Sequence, residues 1–209
     1  MKNLFKSPVI ILANGLFPSK LIPLDFLENA GTVICTDGAI NKLAKLNLVP
    51  HVVIGDLDSI DSNLEFKGLI IHDTNQYNTD LAKALEWAIM NNIPKLTILG
   101  ATGLREDMTL ANHYLLFDYY NKIELEMVTD HQTVTCHIGK KSFISHPGNN
   151  VSLFVQDFGT TVSTTGLKYP INNSNLNPSS NGICNESIVK SFEIDSSGAI
   201  LVFRSHLKA

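Results

Sequence analysis

Residues 51–60 read HVVIGDLDSI. A β-branched apolar run stops at a glycine and is followed at once by two carboxylates two positions apart. The run VVI has the composition of a strand buried on both faces, since nothing in it alternates with polar residues. Similar runs recur on either side: VIILA (9–13), TVIC (32–35), LIIH (69–72), LTILG (96–100) and IELEMV (123–128). Between them the period changes. Leu81, Ala84, Leu85, Ala88 and Ile89 form an i, i+3, i+4, i+7, i+8 stripe that begins just after Asn78-Thr79 and predicts a helix. A second helix is expected over 107–119, with Leu110, Tyr114, Leu115 and Phe117 facing inward. Apolar strands alternating with helices predict a mostly parallel sheet covered by helices.

Beyond residue 131 the helical stripes end. TVTCHI, KSFISH, NVSLFV, TTVSTTGL, SIVKSFEI and AILVFRS succeed one another, separated by turn residues such as Pro147-Gly148-Asn149-Asn150 and Ser196-Ser197-Gly198. This spacing predicts a small antiparallel β-sandwich. INNSNLNPSSNG (171–182) reads as a long polar loop. The fold class expected is therefore α/β plus all-β. Residues 1–131 make a mostly parallel α/β domain and 132–209 a C-terminal antiparallel β-sandwich.

Composition narrows the partners. In 209 residues, 44% are hydrophobic and 17% charged, outside the range of intrinsic disorder. Sixteen Lys and Arg against 20 Asp and Glu give a formal charge of −4, which supplies no field for nucleic acid or an anionic membrane. The apolar run near the N-terminus ends at Asn14-Gly15, too short for a signal core or a membrane span. Cys35, Cys136 and Cys184 are too widely spaced for a Cys-x-x-Cys metal site and odd in number. A cytoplasmic protein is expected.

The carboxylates carry the functional signal. Asp37 follows TVICT, Asp56 and Asp58 follow HVVIG, Asp80 follows LIIH before a helix, and Asp107 follows LTILGATGLRE. In an open parallel sheet, residues beyond the carboxyl ends of the strands line the ligand crevice. Clustered carboxylates repel one another unless a cation offsets them, and Mg²⁺ takes such oxygen ligands together with substrate phosphates. The chemistry implied is phosphoryl or pyrophosphoryl transfer. The competing reading is that each Asp only caps a helix or makes a turn. The Asp56, Asp58 doublet favours the metal reading. Arg105, near Gly100 and Gly103, is placed either to pair with phosphate or to remain a solvated surface residue. No P-loop pattern occurs, and LANGLFPSK (12–20) does not supply one.

Taken in order, these motifs resemble the thiamine pyrophosphokinase family. They are Asp37-Gly38-Ala39-Ile40-Asn41, Gly55 to Ser59, Gln76-Tyr77-Asn78-Thr79-Asp80, Arg105-Glu106-Asp107, Gly166-Leu167-Lys168-Tyr169 and Cys184-Asn185. The resemblance implies a kinase that moves the pyrophosphoryl group of ATP to the hydroxyl of thiamine, giving thiamine diphosphate and AMP. It implies Asp56, Asp58 and Asp80 as Mg²⁺ ligands, and these with Asp107 as the catalytic set, Asp80 or Asp107 taking the hydroxyl proton. Asn14, Gly15, Asp37, Gly38, Asn41, Gln76, Thr79 and Arg105 would bind nucleotide. Cys184 and Asn185 would bind thiamine, in the site of the other subunit of a homodimer. The chain departs from the family pattern at Ala39-Ile40 (usually Gly-Ala), at Met108 (usually His or Gln) and at Cys184 (usually Ser). Two alternatives stand beside this reading. One is a haloacid-dehalogenase-type phosphatase with Asp56 as nucleophile, since IGDLDSI imitates that class's strand-end motif; the other is a thiamine- or nucleotide-binding protein that has lost catalysis.

Overall fold

The computed structural model describes residues 5–206 of the chain, which divides into two compact units after Asp130. The first unit runs β1 (Val9–Leu12), α1 (Leu21–Glu28), β2 (Thr32–Thr36), α2 (Ala39–Ala44), β3 (Val52–Gly55), β4 (Leu69–His72), α3 (Asp80–Met90), β5 (Lys95–Leu99), α4 (Glu106–Tyr119) and β6 (Glu124–Val128). Every strand pairing within it is parallel, and the order across the sheet is β4-β3-β2-β1-β5-β6. The chain walks outward from β1 to β4, then returns to place β5 on β1's other side. That reversal is the topological switch point, where the loops after two neighbouring strands diverge and leave a crevice.

The strands are apolar throughout because both faces are covered. Alternate residues Ile10, Leu12, Val33, Cys35 and Val53 pack with Leu27 of α1 and Ala39, Ile40 and Leu43 of α2. The intervening Ile11, Ile34, Ile54 and Ile98 are equally buried and face the opposite side. There α3 packs on β2 and β3 and touches α4. The stripe expected on α3 is the buried one: Leu81, Ala84, Leu85 and Ala88 are all inside, with Trp87 edge-on to Phe5.

Two expectations fail in this unit. β4 is an edge strand whose Leu69 and Ile70 are exposed, because only β3 flanks it. The inward face of α4 is Asn112, Leu116 and Tyr119, joined by Phe117, whereas Leu110 and Tyr114 are exposed and Leu115 is half-buried. Apolar residues ring this helix, so periodicity alone selects no single face. Tyr119 ties this face to α3, with its hydroxyl donating to Glu86 at 3.1 Å.

The second unit contains β7 (Gln132–Ile144), β8 (Asn150–Val155), β9 (Thr161–Thr165), β10 (Ser174–Asn175), β11 (Asn185–Glu186) and β12 (Ser191–Ser205). All its named pairings are antiparallel. The expected pair TVTCHI and KSFISH is one strand, β7, and the last two expected strands are also one, β12. Ser196-Ser197-Gly198 is therefore no turn; it is a bulge, where the register against β7 shifts between Ser196 and Ile200. Before the bulge β12 pairs with β9, and after it with β8. One bent strand thus serves both sides of a core formed by Phe143, Val151, Leu153, Val162, Phe192, Ile194 and Val202, with Phe143 and Phe192 stacked. The expected loop 171–182 contains the short β10. Among the described residues no helix is long and apolar enough to cross a membrane.

Candidate active site

Loops following β1, β2, β3 and β5, with the first turns of α3 and α4, line a cleft of about 340 Å³ at the carboxyl edge of the parallel sheet. The two switch-point loops are fastened together: Gly15 donates its N–H to Gly100 O at 2.7 Å and Leu16 to Thr102 O at 2.8 Å. A Cβ on Gly15 would collide with Gly100 O and lie 2.8 Å from Thr102 O, so only glycine permits this approach. These N–H groups are already spent, and the loop offers no backbone cradle of the P-loop kind. Of this loop, Ala13, Asn14 and Gly15 line the cleft, and Asn14 is the one of the three with a polar side chain.

Three carboxylates converge there. Asp37, Asp56 and Asp58 each place an oxygen within 4.8 Å of the other two. Asp37 follows β2 with φ 31°, in the left-handed region that Asp tolerates better than most residues, and its N–H is tied to Ile54 O at 2.8 Å. It is 5% exposed, and its Oδ1 is buried with no hydrogen-bond partner. Asp56 and Asp58 flank Leu57, which also has a positive φ of 69°, and an oxygen of each lies within 4.8 Å of the other. Asp56 accepts from Gln76 Nε2 at 3.3 Å, and this donor is the main reason its carboxyl lies below the usual carboxylate range. Asp58 accepts from Ser59 Oγ at 2.9 Å. An unsatisfied buried carboxylate oxygen beside two more carboxylates is unfavourable in itself and fits a hard divalent cation such as Mg²⁺.

Asp80 opens α3 and lines the same cleft outside this trio. Its partner is Lys83, a lysine only 5% exposed, which donates to Asp80 Oδ1 at 2.9 Å and to Asp73 O at 3.0 Å. Burial pushes the Asp80 carboxyl above its ordinary value; Lys83 opposes that shift, and Asp37 and Asp56 add to it. Thr79 is occupied in capping α3, accepting from the Ala82 N–H at 3.3 Å. Arg105 lines the cleft, but Asp107 does not. The two form a bidentate ion pair, and Asp107 also accepts from the Met108 N–H; Arg105 holds the Asp107 carboxyl below the usual range. Gly38 and Asn41 stand behind the wall. Asn41 donates to Ser59 O at 2.7 Å and accepts from the Asp61 N–H at 2.9 Å, which commits both ends of its amide.

Residues 24–128 match the family model of the thiamin pyrophosphokinase catalytic domain, and residues 133–203 match that of the thiamin pyrophosphokinase substrate-binding domain. The chain belongs to the thiamin pyrophosphokinase family. It is 25% identical over 158 residues to thiamin pyrophosphokinase 1 of Caenorhabditis elegans, an alignment covering 67% of this chain and 64% of that protein. The chain thus matches somewhat less than two thirds of the nematode relative's length. Against thiamine pyrophosphokinase of Bacillus subtilis it is 25% identical over 178 residues, 79% of this chain and 82% of the other. The crystal structure of the Bacillus subtilis enzyme superposes with a TM-score of 0.79 at 22% identity, covering 95% of this chain and 99% of that one. The parallel α/β unit followed by antiparallel strands is the fold these structures share.

A thiamin pyrophosphokinase fold accounts for Asp56 lying after β3, where a dehalogenase-type nucleophile would follow the first strand. In the second unit, Cys184 is exposed with φ 59°, and its N–H donates to Ser152 Oγ at 3.2 Å. Asn185 is buried. Its amide accepts from the Tyr169 N–H at 3.0 Å and donates to Tyr169 O at 2.7 Å, fastening the Gly166–Tyr169 segment to β11. Lys83, Lys42 and Asn112 lie outside the motifs that the sequence shows. Asp80 and Lys83 at i, i+3 are a legible ion-pair spacing. Asn112, a poor helix former at mid-helix, lines the cleft with its Oδ1 buried and unpartnered and its Nδ2 on Ala101 O at 2.7 Å. The contacts of Lys42 are with backbone, which leaves no pattern in the sequence.

Proposed function

We propose that this chain transfers the pyrophosphoryl group of ATP to the hydroxyl of thiamine, giving thiamine diphosphate and AMP. The observation that carries the reading is the Asp37, Asp56, Asp58 trio at the switch point of the parallel sheet, inside the unit matched by the thiamin pyrophosphokinase catalytic domain. These three residues would hold Mg²⁺, replacing the Asp56, Asp58, Asp80 set expected from the motif. The ion, when bound, supplies positive charge against the polyphosphate.

The chain's own groups do the rest. Asn14 and Arg105 line the cleft and are the polar groups placed to orient the nucleotide, with the Arg105 guanidinium suited to phosphate once it shares or leaves Asp107. The thiamine hydroxyl oxygen bonds to the β-phosphorus in line, the bond from that phosphorus to the α–β bridging oxygen breaks, and AMP departs with that oxygen. Asp80 receives the hydroxyl proton. It lines the cleft and its affinity for a proton is raised, whereas Asp107 is locked on Arg105 with its affinity lowered. Gln76 favours the ionised form of Asp56 by donating to it. Cys184 remains the candidate for touching thiamine, while Asn185 shapes that segment through Tyr169. A homodimer in which the second unit serves the partner's site, acting in the cytoplasm, completes the reading.

The test is direct. Purified protein incubated with ATP, Mg²⁺ and thiamine should form AMP and thiamine diphosphate in equal amounts. Asp56→Asn and Asp58→Asn should each lower turnover by orders of magnitude with the fold retained. Release of inorganic phosphate with an aspartyl-phosphate trapped at Asp56 would overturn the reading in favour of a phosphatase, and near-normal rates in both variants would overturn the assigned ligands.

A further inference from the structure

Helix α2 is six residues long and carries no group that lines the cleft, yet four of its hydrogen bonds converge on the two loops that do. Asn41 holds the loop after β3 through Ser59 O and the Asp61 N–H. The next residue, Lys42, holds the loop after β1, donating from Nζ to Asn14 O at 3.1 Å and Gly15 O at 2.6 Å. Just before the helix, Gly38 lies where the same loops meet; a Cβ there would stand 2.7 Å from Asn14 Nδ2 and 3.0 Å from Ser59 Cβ. One loop carries Asn14, the other Asp56 and Asp58. Ile40 and Leu43, on the buried face of α2, seat the helix in the sheet's core, so the bracket is anchored on a rigid body.

We propose that Asn41 and Lys42 are positioning residues that set the separation between the nucleotide-facing β1 loop and the carboxylate-bearing β3 loop, and touch neither substrate. This deepens the nucleotide-site reading given above and rests on it. The physical basis is the division of labour: successive residues project about 100° apart on a helix, so neighbours in sequence can reach opposite walls. Lys42 suits its wall because both of its acceptors are carbonyls, which a cation satisfies together.

The test uses Asn41→Ala, Lys42→Met and Lys42→Arg in the full chain, read by steady-state kinetics and by amide hydrogen exchange. Lys42→Met should raise KM for ATP about tenfold, the size of one lost charge-assisted hydrogen bond, with kcat changed far less. Lys42→Arg should restore it. Asn41→Ala should behave likewise and speed exchange at the Asp61 amide, its own hydrogen-bond donor, while Lys42→Met should speed exchange at Gly15 and Leu16. If Asn41→Ala does not fold, Asn41→Asp keeps the acceptor for Asp61 and removes the donor to Ser59 O. Unchanged exchange in both loops, an unmoved KM, or protection lost evenly across the first unit would overturn the proposal. If the wild-type protein forms no thiamine diphosphate, the functional reading fails, and loop-specific exchange still decides the bracket.

Discussion

Gly55→Ala tests how the carboxylate trio is held. Gly55 has φ +156°, and a Cβ built on it would lie 2.9 Å from Asp37 Cβ and 3.4 Å from Asp37 Cα and N. Two costs combine. Placing an L side chain in that backbone region costs about 1–3 kcal/mol, and forcing a methyl into packed neighbours costs about 1–3 kcal/mol more. The lower chain entropy of alanine in the unfolded state returns about 0.4–1 kcal/mol. The unfavourable contributions win, leaving a net loss of about 1–6 kcal/mol, most of that range below the roughly 5–15 kcal/mol stability of a typical domain. The chain should therefore fold, with Asp37 displaced from its position beside Asp56 and Asp58. Trp87 is the chain's one tryptophan and lies on α3, so its fluorescence reports on the first unit alone. At about 2 kcal/mol per molar urea, the Trp87 unfolding midpoint should fall by about 0.5–3 M, and activity should fall well beyond the change in folded fraction. Gly139→Ala is the control. Its φ of +77° carries a comparable backbone cost, but it lies in the second unit with nothing within 4 Å of a Cβ placed on it, so it should leave the Trp87 transition where it was. An unmoved midpoint together with normal activity in Gly55→Ala would refute the argument that glycine is required there for the approach of Asp37.

Three more outcomes follow from the same geometry. Gln76→Ala removes the donor that holds Asp56 below the usual carboxylate range, so the Asp56 carboxyl should rise and the acid limb of the pH–rate profile should move to higher pH; a limb that stays put would dissociate Gln76 from Asp56. Cys35 is buried with its thiol pushed up to about 12 and half-buried Cys136 likewise to about 12, whereas Cys184 is exposed, so a thiol reagent at pH 8 should label one cysteine quickly and Cys184→Ser should abolish that phase. Cys184→Ser should also keep or tighten thiamine binding by calorimetry, since a hydroxyl is the better hydrogen-bonding group, and a large loss of affinity would indicate another acceptor alcohol.

The sequence by itself determined the layout. Buried strands are written as unbroken β-branched runs, and the six runs up to residue 128 overlap β1 to β6. Asp37, Asp56, Asp58 and Asp80 were legible as a group because a parallel sheet sends the carboxyl end of every strand to the same edge. Tertiary structure decided what pattern leaves open. The orientation of α4, with Asn112, Leu116, Phe117 and Tyr119 inward and Tyr119 bonded to Glu86, is one that no periodicity in an evenly apolar helix foretells. The joining of four expected strands into β7 and β12 depended on partners far along the chain, with local turn residues absorbed into a bulge. Above all, that Asp37 has an oxygen within 4.8 Å of both Asp56 and Asp58 shows only in three dimensions, where Asp37 has a positive φ beside Gly55 and Asp80 is paired with the buried Lys83. Asn41, whose place in a motif suggested a ligand contact, turns out to bind a neighbouring loop. A motif records which residues are needed together; only packing shows whether each one faces the ligand or the residue beside it.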